Sequence, residues 1–514
     1  MSIGRTLAVA LTGLEGTLVE VEAEVSAGLP SFALVGLPDS STLQARERVR
    51  GAAGQIGSPL ASRRITVNLV PAYLAKRGSG FDLAIAIAVL AAHEVVRAAS
   101  VSRVVHLGEL GLDGRLRPVP GILPSLLAAR REGATTAVVP HANAAEAALV
   151  EGLDIVTAED LAEVVRRHGG RASLKVAAPS PLAPPRAVER GQAAAPELDF
   201  ADVVGQAQAR RAAEVAAAGG HHLLLTGPPG AGKTMIAARI PTILPDLSDA
   251  DALAVSAIHS VAGRFDARDG LVRRPPFESP HHTATPAAVV GGGAGFALPG
   301  AISRAHAGVL FLDEAPEFPS RVLEALREPL ESGDVTLHRA RGVTRYPARF
   351  QLVLAANPCP CGRAWGRGED CSCTPLARRR YLTRLSGPVL DRIDMRIGVG
   401  PVDVRREAAA QTPEASAAIA RRVARARDRQ AARFAHEPWS LNAQIPGPRL
   451  RRDLAPARGE QRLLDRAVET GRLTLRGHDR VLRVAWTLAD LEGCERPGAE
   501  HIGHALALRG GEAR

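Results

Sequence analysis

One short stretch constrains this chain more than any other. Gly227, Pro228, Pro229, Gly230, Ala231, Gly232, Lys233 and Thr234, read in order, spell G-x-x-x-x-G-K-[ST]. The context fits the pattern: Leu223 to Thr226 is an apolar run that reads as a strand, and Met235 to Ile240 begins a helix. A glycine-rich turn at such a junction lets backbone N–H groups wrap a β-phosphate, and the helix N-terminus adds its dipole. Lys233 then reaches the β- and γ-phosphates, and Thr234 places a hydroxyl on Mg²⁺. Lysine occurs only at positions 76, 175 and 233 of 514 residues, so its presence at this position is not a by-product of composition. The first expectation is therefore a site for Mg-ATP.

The rest of a hydrolytic site follows downstream. In "GVLFLDEAPEF", Val309 to Leu312 reads as a buried strand with Asp313 and Glu314 at its carboxyl end, where parallel sheets bind ligands. Asp313 is expected to hold Mg²⁺ through water, and Glu314 to polarise the attacking water as general base. A third strand, Leu352 to Ala355, ends at Asn357, which can orient that water; a turn-forming Asn before Pro358 is the plainer reading. Within "LSGPVLDRIDMRI", Arg392 is a candidate for acting on a neighbouring subunit's nucleotide, with an ion pair to its flanking acids as the alternative. Arg476 opens a long amphipathic pattern, with Arg480 and Arg483 one and two turns on; Arg476 is taken as the one that touches the γ-phosphate.

Length and charge set the frame. A chain of 514 residues holds two to four domains, and 46% hydrophobic with 23% charged residues describes a globular protein. The net charge is +10 and is carried almost entirely by arginine, whose planar fork suits phosphates. Nucleic acid is the first partner to consider, and an Arg-rich solvated surface is the bland one. No apolar run is long enough for a bilayer and the N-terminus lacks the pattern of a leader, so a cytoplasmic protein without membrane contact is expected. Residues 1–170 read as an α/β domain, 171–198 as a Pro/Ala-rich linker, 199–400 as a second α/β unit and 401–514 as a helical lid.

Two smaller features complete the reading. "DVTLHRARGVTRYPARF" alternates about Gly342 and predicts a β-hairpin with Arg339, Arg341 and Arg345 near its tip, where they could track phosphates without reading sequence. A solvated hairpin is the alternative. Cys359, Cys361, Cys371 and Cys373 form C-x-C-x₉-C-x-C and could complete a tetrahedral Zn²⁺ shell, or remain free thiols. Cys494 is expected in a core. The adjacent His281 and His282 have poor geometry for one metal and are not read as ligands.

The order P-loop, Asp-Glu, strand-Asn is that of AAA+ ATPases. The pieces "PHHT", "GVLFLDEAPEF", "ALREPLESGDVTLHRARG", "LAANPCPCG" and "RLSGPVLDRID" resemble the magnesium-chelatase-like AAA+ family called YifB or ComM. So do "GLPSFALVGLPD", "RITVNLVPAYLAKRGSGFDLAIAIAVLAA" and "GELGLDGRLRPVPGI" nearer the N-terminus. The resemblance implies a ring, a homohexamer, that hydrolyses ATP to drive DNA as a helicase. It implies branch migration in recombination and natural transformation, on single-stranded, forked or branched DNA. It also makes Arg392 the arginine finger of the "DRID" box and Arg476 the sensor of the lid. One departure stands out: in "RPPFESPHHT", Glu278 occupies a place the family fills with a basic residue. The N-terminal domain resembles the Lon-protease fold (S5 domain 2-like), but Leu123 falls where the catalytic lysine would be, so no peptidase activity is expected. A metal-insertion ATPase of the magnesium-chelatase type and a protein-remodelling AAA+ chaperone are the alternative functions.

Overall fold

In the computed structural model the described residues are all but 1–2, 61–62, 176–197, 294–296, 340–341, 367–369, 386, 403–412, 458 and 511–514. Most of the expected linker, and residues 403–412 just past the expected start of the lid, therefore lie outside the described residues.

The N-terminal α/β domain is a seven-stranded mixed sheet in the order 31–35, 64–70, 15–26, 3–12, 104–106, 136–140, 154–158. Its first two strands, Ile3–Thr12 and Glu15–Ser26, alternate buried and exposed residues and pair antiparallel from Ile3↔Glu24 to Thr12↔Glu15. The helix Asp82–Ala92 is buried at every position, as a run with no polar face requires. It lies so close to the first strand that a Cβ on Gly4 would sit 2.0 Å from the Ala88 carbonyl oxygen. The ends of the domain reach past the expected boundary: Ala172 and Leu174 pack on its core, and Lys175 N donates to Gln55 O at 3.0 Å.

The second unit holds a five-stranded, all-parallel sheet in the order Phe277–Glu278, Val309–Leu312, Gln351–Ala356, Leu223–Thr226, Met395–Gly398. Its central strands are continuous apolar runs because helices cover both faces. The C-terminal helices Ser416–Arg433, Leu475–Glu492 and Ala499–Leu508 share one hydrophobic core with this sheet, through Leu223, Met395, Val423, Val481, Ala485 and Ile502. The helix Leu475–Glu492 starts where the Thr474 hydroxyl accepts from Gly477 N at 3.1 Å and stops at Gly493, with φ +86°. Cys494 follows that stop and is exposed, not in a core as its helical surroundings led one to expect.

The two units are joined along the helix Asp249–Val261. Gly121 N donates to Ser260 O at 3.3 Å, and the Ser260 hydroxyl donates to Glu146. Glu146 also accepts from Leu123 N at 2.9 Å, so the start of the helix Ile122–Arg131 helps carry the joint. Burial pushes the Glu146 carboxyl up, against those hydrogen bonds. Among the described residues, no helix is long and apolar enough to cross a membrane.

Candidate nucleotide site and its surroundings

The parallel sheet brings three chain segments to one edge. Leu223–Thr226 lies beside Gln351–Ala356, which lies beside Val309–Leu312, and all three run the same way. Their carboxyl ends therefore deliver the P-loop, Asn357 and the Asp313–Glu314 pair to a common crevice. Gly227 leaves the first strand with its N–H bonded to Ala356 O at 3.1 Å, and any Cβ there would meet Val399 O at 2.0 Å. Gly230 and Gly232 take φ of +76° and +91°, the left-handed turns that only glycine accepts without strain. Gln206 clamps the loop from outside: its side-chain N–H₂ donates to Ala231 O at 3.0 Å and to Gly400 O at 2.6 Å. The sequence carries no signal for this role, because Gln206 precedes its helix like any other polar residue.

Side-chain geometry follows. Lys233 Nζ donates to Gly227 O at 2.6 Å, Pro228 O at 2.9 Å and Asn357 Oδ1 at 3.1 Å. Burial pushes its ammonium pKa down, while Asp313 and Glu314 pull it up. Thr234 Oγ1 donates to Asp313 Oδ2 at 2.7 Å. A hydroxyl and a carboxylate in contact at the foot of a phosphate loop are the hard oxygen donors that suit Mg²⁺, so these residues fit that ion. Glu314 has φ +50°, unusual for a residue with a side chain, and its carboxylate is about half exposed (47%). His282 Nδ1 lies 3.2 Å from Glu314 Oε2. The adjacency of His281 and His282 makes them poor ligands for one metal, and nothing in their spacing announces this contact.

Arg392 and Arg476 lie elsewhere. Met395 pairs with Leu223, at the amino end of the P-loop strand, so Arg392 stands at the sheet edge opposite its own P-loop. Arg392 is buried, donates to Pro388 O at 2.6 Å and pairs with Glu331 rather than with either flanking acid. Burial pushes its pKa down, and the charges of Arg327, Arg480 and Arg476 push the same way. Arg476 is thus a neighbour of Arg392, not of Lys233, and stays exposed. Arg480 is committed to the buried Asp394 at 2.5 Å, and Arg483 Nε to Ile445 O at 2.9 Å. Burial alone would push the Asp394 carboxyl up; Arg480 and His221 hold it well below the usual carboxylate range.

The expected hairpin is present as Asp334–Arg339 and Gly342–Pro347, in register from Asp334↔Pro347 to Arg339↔Gly342. Arg339 is at the tip. Arg341 lies outside the described residues. Arg345 is not near the tip as expected: it pairs with Thr336, part-way down, and its guanidinium reaches Asp334 at 2.5 Å. The period of two explains the difference, since it places Arg345 on the same face as that acid. Glu278 is buried between Arg304, at 3.0 Å, and Arg264, at 3.9 Å. Glu278 is thus tied inside the fold by its two arginines.

The four cysteines converge. Sγ of Cys359 is 3.3 Å from that of Cys361 and 3.6 Å from that of Cys371, and all four ligand atoms lie within 4.8 Å of one another. Four sulfurs at about 2.3 Å from a zinc ion stand about 3.8 Å apart, so the set fits a tetrahedral shell. The backbone N–H of Arg363, and then Cys359, pull the Cys361 thiol down, while Cys361 in turn pushes the Cys373 thiol up, so the thiols share their protons as one group. The cluster abuts the nucleotide loop: a Cβ on Gly362 would sit 2.6 Å from Pro229 Cδ.

Comparison with known proteins agrees with this geometry. The family model described as magnesium chelatase, subunit ChlI, matches residues 199–407; companion models for ChlI and its C-terminal part match 21–143 and 413–509. An uncharacterized protein of Mycobacterium tuberculosis is 48% identical over 514 residues, the whole of both chains. YifB of Escherichia coli is 41% identical over 97% of this chain and 96% of its own. The competence protein ComM of Haemophilus influenzae is 38% identical over 99% of this chain and 98% of its own. The chain belongs to the YifB/ComM family of magnesium-chelatase-like AAA+ proteins. A shorter likeness, 30% over 175 residues, joins it to the Lon protease of Mycolicibacterium smegmatis, in keeping with a Lon-like N-terminal domain before the AAA+ core. Membership in this YifB/ComM group implies ATPase activity, with ATP and Mg²⁺ as its requirements.

Proposed function

We propose that the chain is a subunit of a ring, a homohexamer, that spends ATP on moving along DNA, as a helicase in branch migration. One observation carries this reading. The P-loop side of the site and the Arg392–Arg476 pair lie at opposite edges of one sheet, so a single copy cannot bring them together. Head-to-tail docking of a second copy would complete the site, and a heterologous contact whose rotation closes makes a ring.

In this reading Lys233 and the loop amides hold the β- and γ-phosphates, and Thr234 and Asp313 hold Mg²⁺. The metal would screen the charge that builds on the phosphoryl oxygens. Glu314 takes the proton of the attacking water, and Asn357 fixes that water's orientation. Arg392 and Arg476 of the neighbouring subunit meet the γ-phosphate. The tip of the 334–347 hairpin, with Arg339, faces the DNA strand, and the sequence-wide excess of arginine supports a polyanionic partner. Zn²⁺ on the four cysteines would brace the loop that carries Asn357 against the P-loop. Natural transformation is the setting that the likeness to the Haemophilus competence protein supports.

The test is unwinding of forked and four-way DNA by wild-type, Lys233→Ala and Glu314→Gln proteins, with electron microscopy of the ATP-bound assembly. ATP-dependent unwinding lost in both variants, together with ring particles, supports the motor. A magnesium-insertion assay on a porphyrin and a protein-unfolding assay run alongside. Turnover there, without any salt-sensitive DNA binding, would replace the reading with one of its rivals.

A further inference from the structure

The seven-stranded sheet ends on Ser31–Val35, and among the described residues nothing pairs with the outer side of that strand. From Val25 to Pro38 the sequence holds no charged residue, in a chain that is 23% charged. The opposite edge strand, Asp154–Ala158, is bracketed by Glu151, Glu159 and Asp160, the kind of charge that keeps a sheet edge single. We infer that the Ser31–Val35 edge is an interaction surface for a second copy of this chain, which adds its own Ser31–Val35 strand antiparallel, about a two-fold axis at Ala33.

The backbone sets the register. Ser31 N donates to Arg63 O at 3.3 Å, on the inner side of the strand, so by the period of two Ala33 and Val35 bond inward as well. Phe32 and Leu34 therefore turn their N–H and C=O groups to the free edge. These two residues are equidistant from Ala33, so antiparallel copies set Phe32 of each against Leu34 of the other, and each such pair exchanges both its hydrogen bonds. A slip by two residues in one direction sets Leu34 against Pro30, which has no N–H to give. In the other direction it sets Phe32 against Gly36, whose φ of +101° has already left the strand.

Side chains follow the same symmetry. Ser31, Ala33 and Val35 are exposed while Phe32 between them is buried. Leu29 is 88% exposed, Val35 50% and Leu37 59%. Leu29 and Leu37 are also equidistant from Ala33, so the register that satisfies the backbone brings Leu29 of each copy beside Leu37 of the other, and Ser31 beside Val35. Apolar surface then leaves water on both copies at once. An uncharged strand meets its own image without stranding a charge, whereas a charged strand laid on this edge would find no partner for that charge. The contact is isologous and uses neither the P-loop nor Arg392. It therefore adds to head-to-tail assembly without replacing it, and a ring that carries it pairs with a second ring.

The experiment measures the mass of the full-length chain without nucleotide or DNA, by light scattering and sedimentation over a concentration series, so its outcome is separate from that of the motor reading. Ala33→Lys changes an exposed position and sets like charges face to face on the axis. It should halve the assembly mass and weaken association more than about tenfold. Ala33→Glu should do the same alone, and an equimolar mixture of the two should regain the wild-type mass, a result that misfolded chains do not give. With Cys494→Ser removing the exposed thiol, Ala33→Cys should cross-link into a covalent dimer under a mild oxidant, because opposed residues of a non-hydrogen-bonded pair have Cα atoms about 4.5 Å apart, within disulfide reach. Ser31→Cys, which faces Val35 and not itself, should stay uncrosslinked. A wild type that is monomeric at every concentration overturns the inference, and so does an Ala33→Lys protein of unchanged mass. Equal cross-linking of the two cysteine variants overturns it as well, since the register is then absent. If Ala33→Lys fails to fold, the two cysteine variants decide alone.

Discussion

The Lys233 ammonium donates to the Asn357 carboxamide oxygen at 3.1 Å, so the P-loop and the third strand of the sheet share one cation. Its other two acceptors are the backbone carbonyls of Gly227 and Pro228. All three are neutral oxygens, and a phosphate oxygen is a stronger acceptor than any of them. The lysine is thus stationed where phosphate can claim it, and Asn357 is left free to hold water. Asn357→Ala should lower kcat about 10²-fold while ATP affinity changes little, whereas Lys233→Ala should remove ATP binding itself. Fluorescent-nucleotide titration beside single-turnover hydrolysis separates the two; equal loss of affinity in both would assign Asn357 to binding.

Arg392 sits at the sheet edge opposite its own P-loop, so its effect on hydrolysis must appear in a neighbour. Arg392→Ala should cost roughly 10³-fold in kcat, the lower range for an arginine that acts between subunits. Mixed with Lys233→Ala, it should regain part of the activity, because the mixture contains interfaces with one intact P-loop and one intact arginine. No recovery at any mixing ratio would place Arg392 in a purely internal role with Glu331.

What could be read from the sequence was what repeats a local rule. The P-loop, the Asp313 strand and the Asn357 strand were visible because glycine needs and apolar runs are properties of a few neighbouring residues. Contacts between distant segments were not: His282 meets Glu314 only because an edge strand pairs with its neighbour, and Arg392 finds Glu331 across 61 residues. Arg345 was misplaced because a hairpin's tip can be located from its glycine, but its cross-strand ion pairs cannot. Cys494 failed as a core residue because helical surroundings say nothing of which residue ends the helix.

The hairpin arginines should differ in use. Arg339 is at the tip, while Arg345 is held by Asp334 at 2.5 Å and must break that pair to meet a phosphate. Arg339→Ala should weaken binding to single-stranded DNA and lower the slope of log affinity against log salt by about 0.7, the counterion share of one phosphate contact. Arg345→Ala should change that slope less. Fluorescence anisotropy across a salt series measures both, and a larger effect at Arg345 would mean that the ion pair opens on binding.

The cysteine cluster should carry one zinc per chain. Its sulfurs already stand at near-tetrahedral spacing, and Gly362 rests on Pro229 of the P-loop. Cys361→Ser should therefore lose bound zinc and, through the loose knuckle, raise KM for ATP more than it lowers kcat. Metal content by atomic emission, together with ATP kinetics before and after chelation, reads this out. A zinc-free wild type with unchanged kinetics would leave four free thiols.

Mild acid should loosen the AAA+ core, because two buried histidines act as acceptors. His222 Nδ1 accepts from Leu352 N at 3.0 Å, and His306 Nδ1 accepts from Arg349 N at 3.1 Å. A protonated imidazole cannot accept, and burial pushes both pKa values down from 6.5 to about 4. The unfolded chain therefore binds protons below 6.5 that the folded chain refuses. Stability is whole above that value and falls as pH drops from 6.5 toward 4, by roughly 2 kcal/mol for each histidine between pH 7 and pH 5. Denaturant midpoints measured across that window should move down together with the pH. In His306→Asn the amide oxygen can take over the bond from Arg349 N without titrating, so the dependence should flatten by about half. A midpoint that stays level between pH 7 and pH 5 in the wild type would show that these imidazoles find protons inside the fold, and that their backbone bonds do not hold the sheet edge.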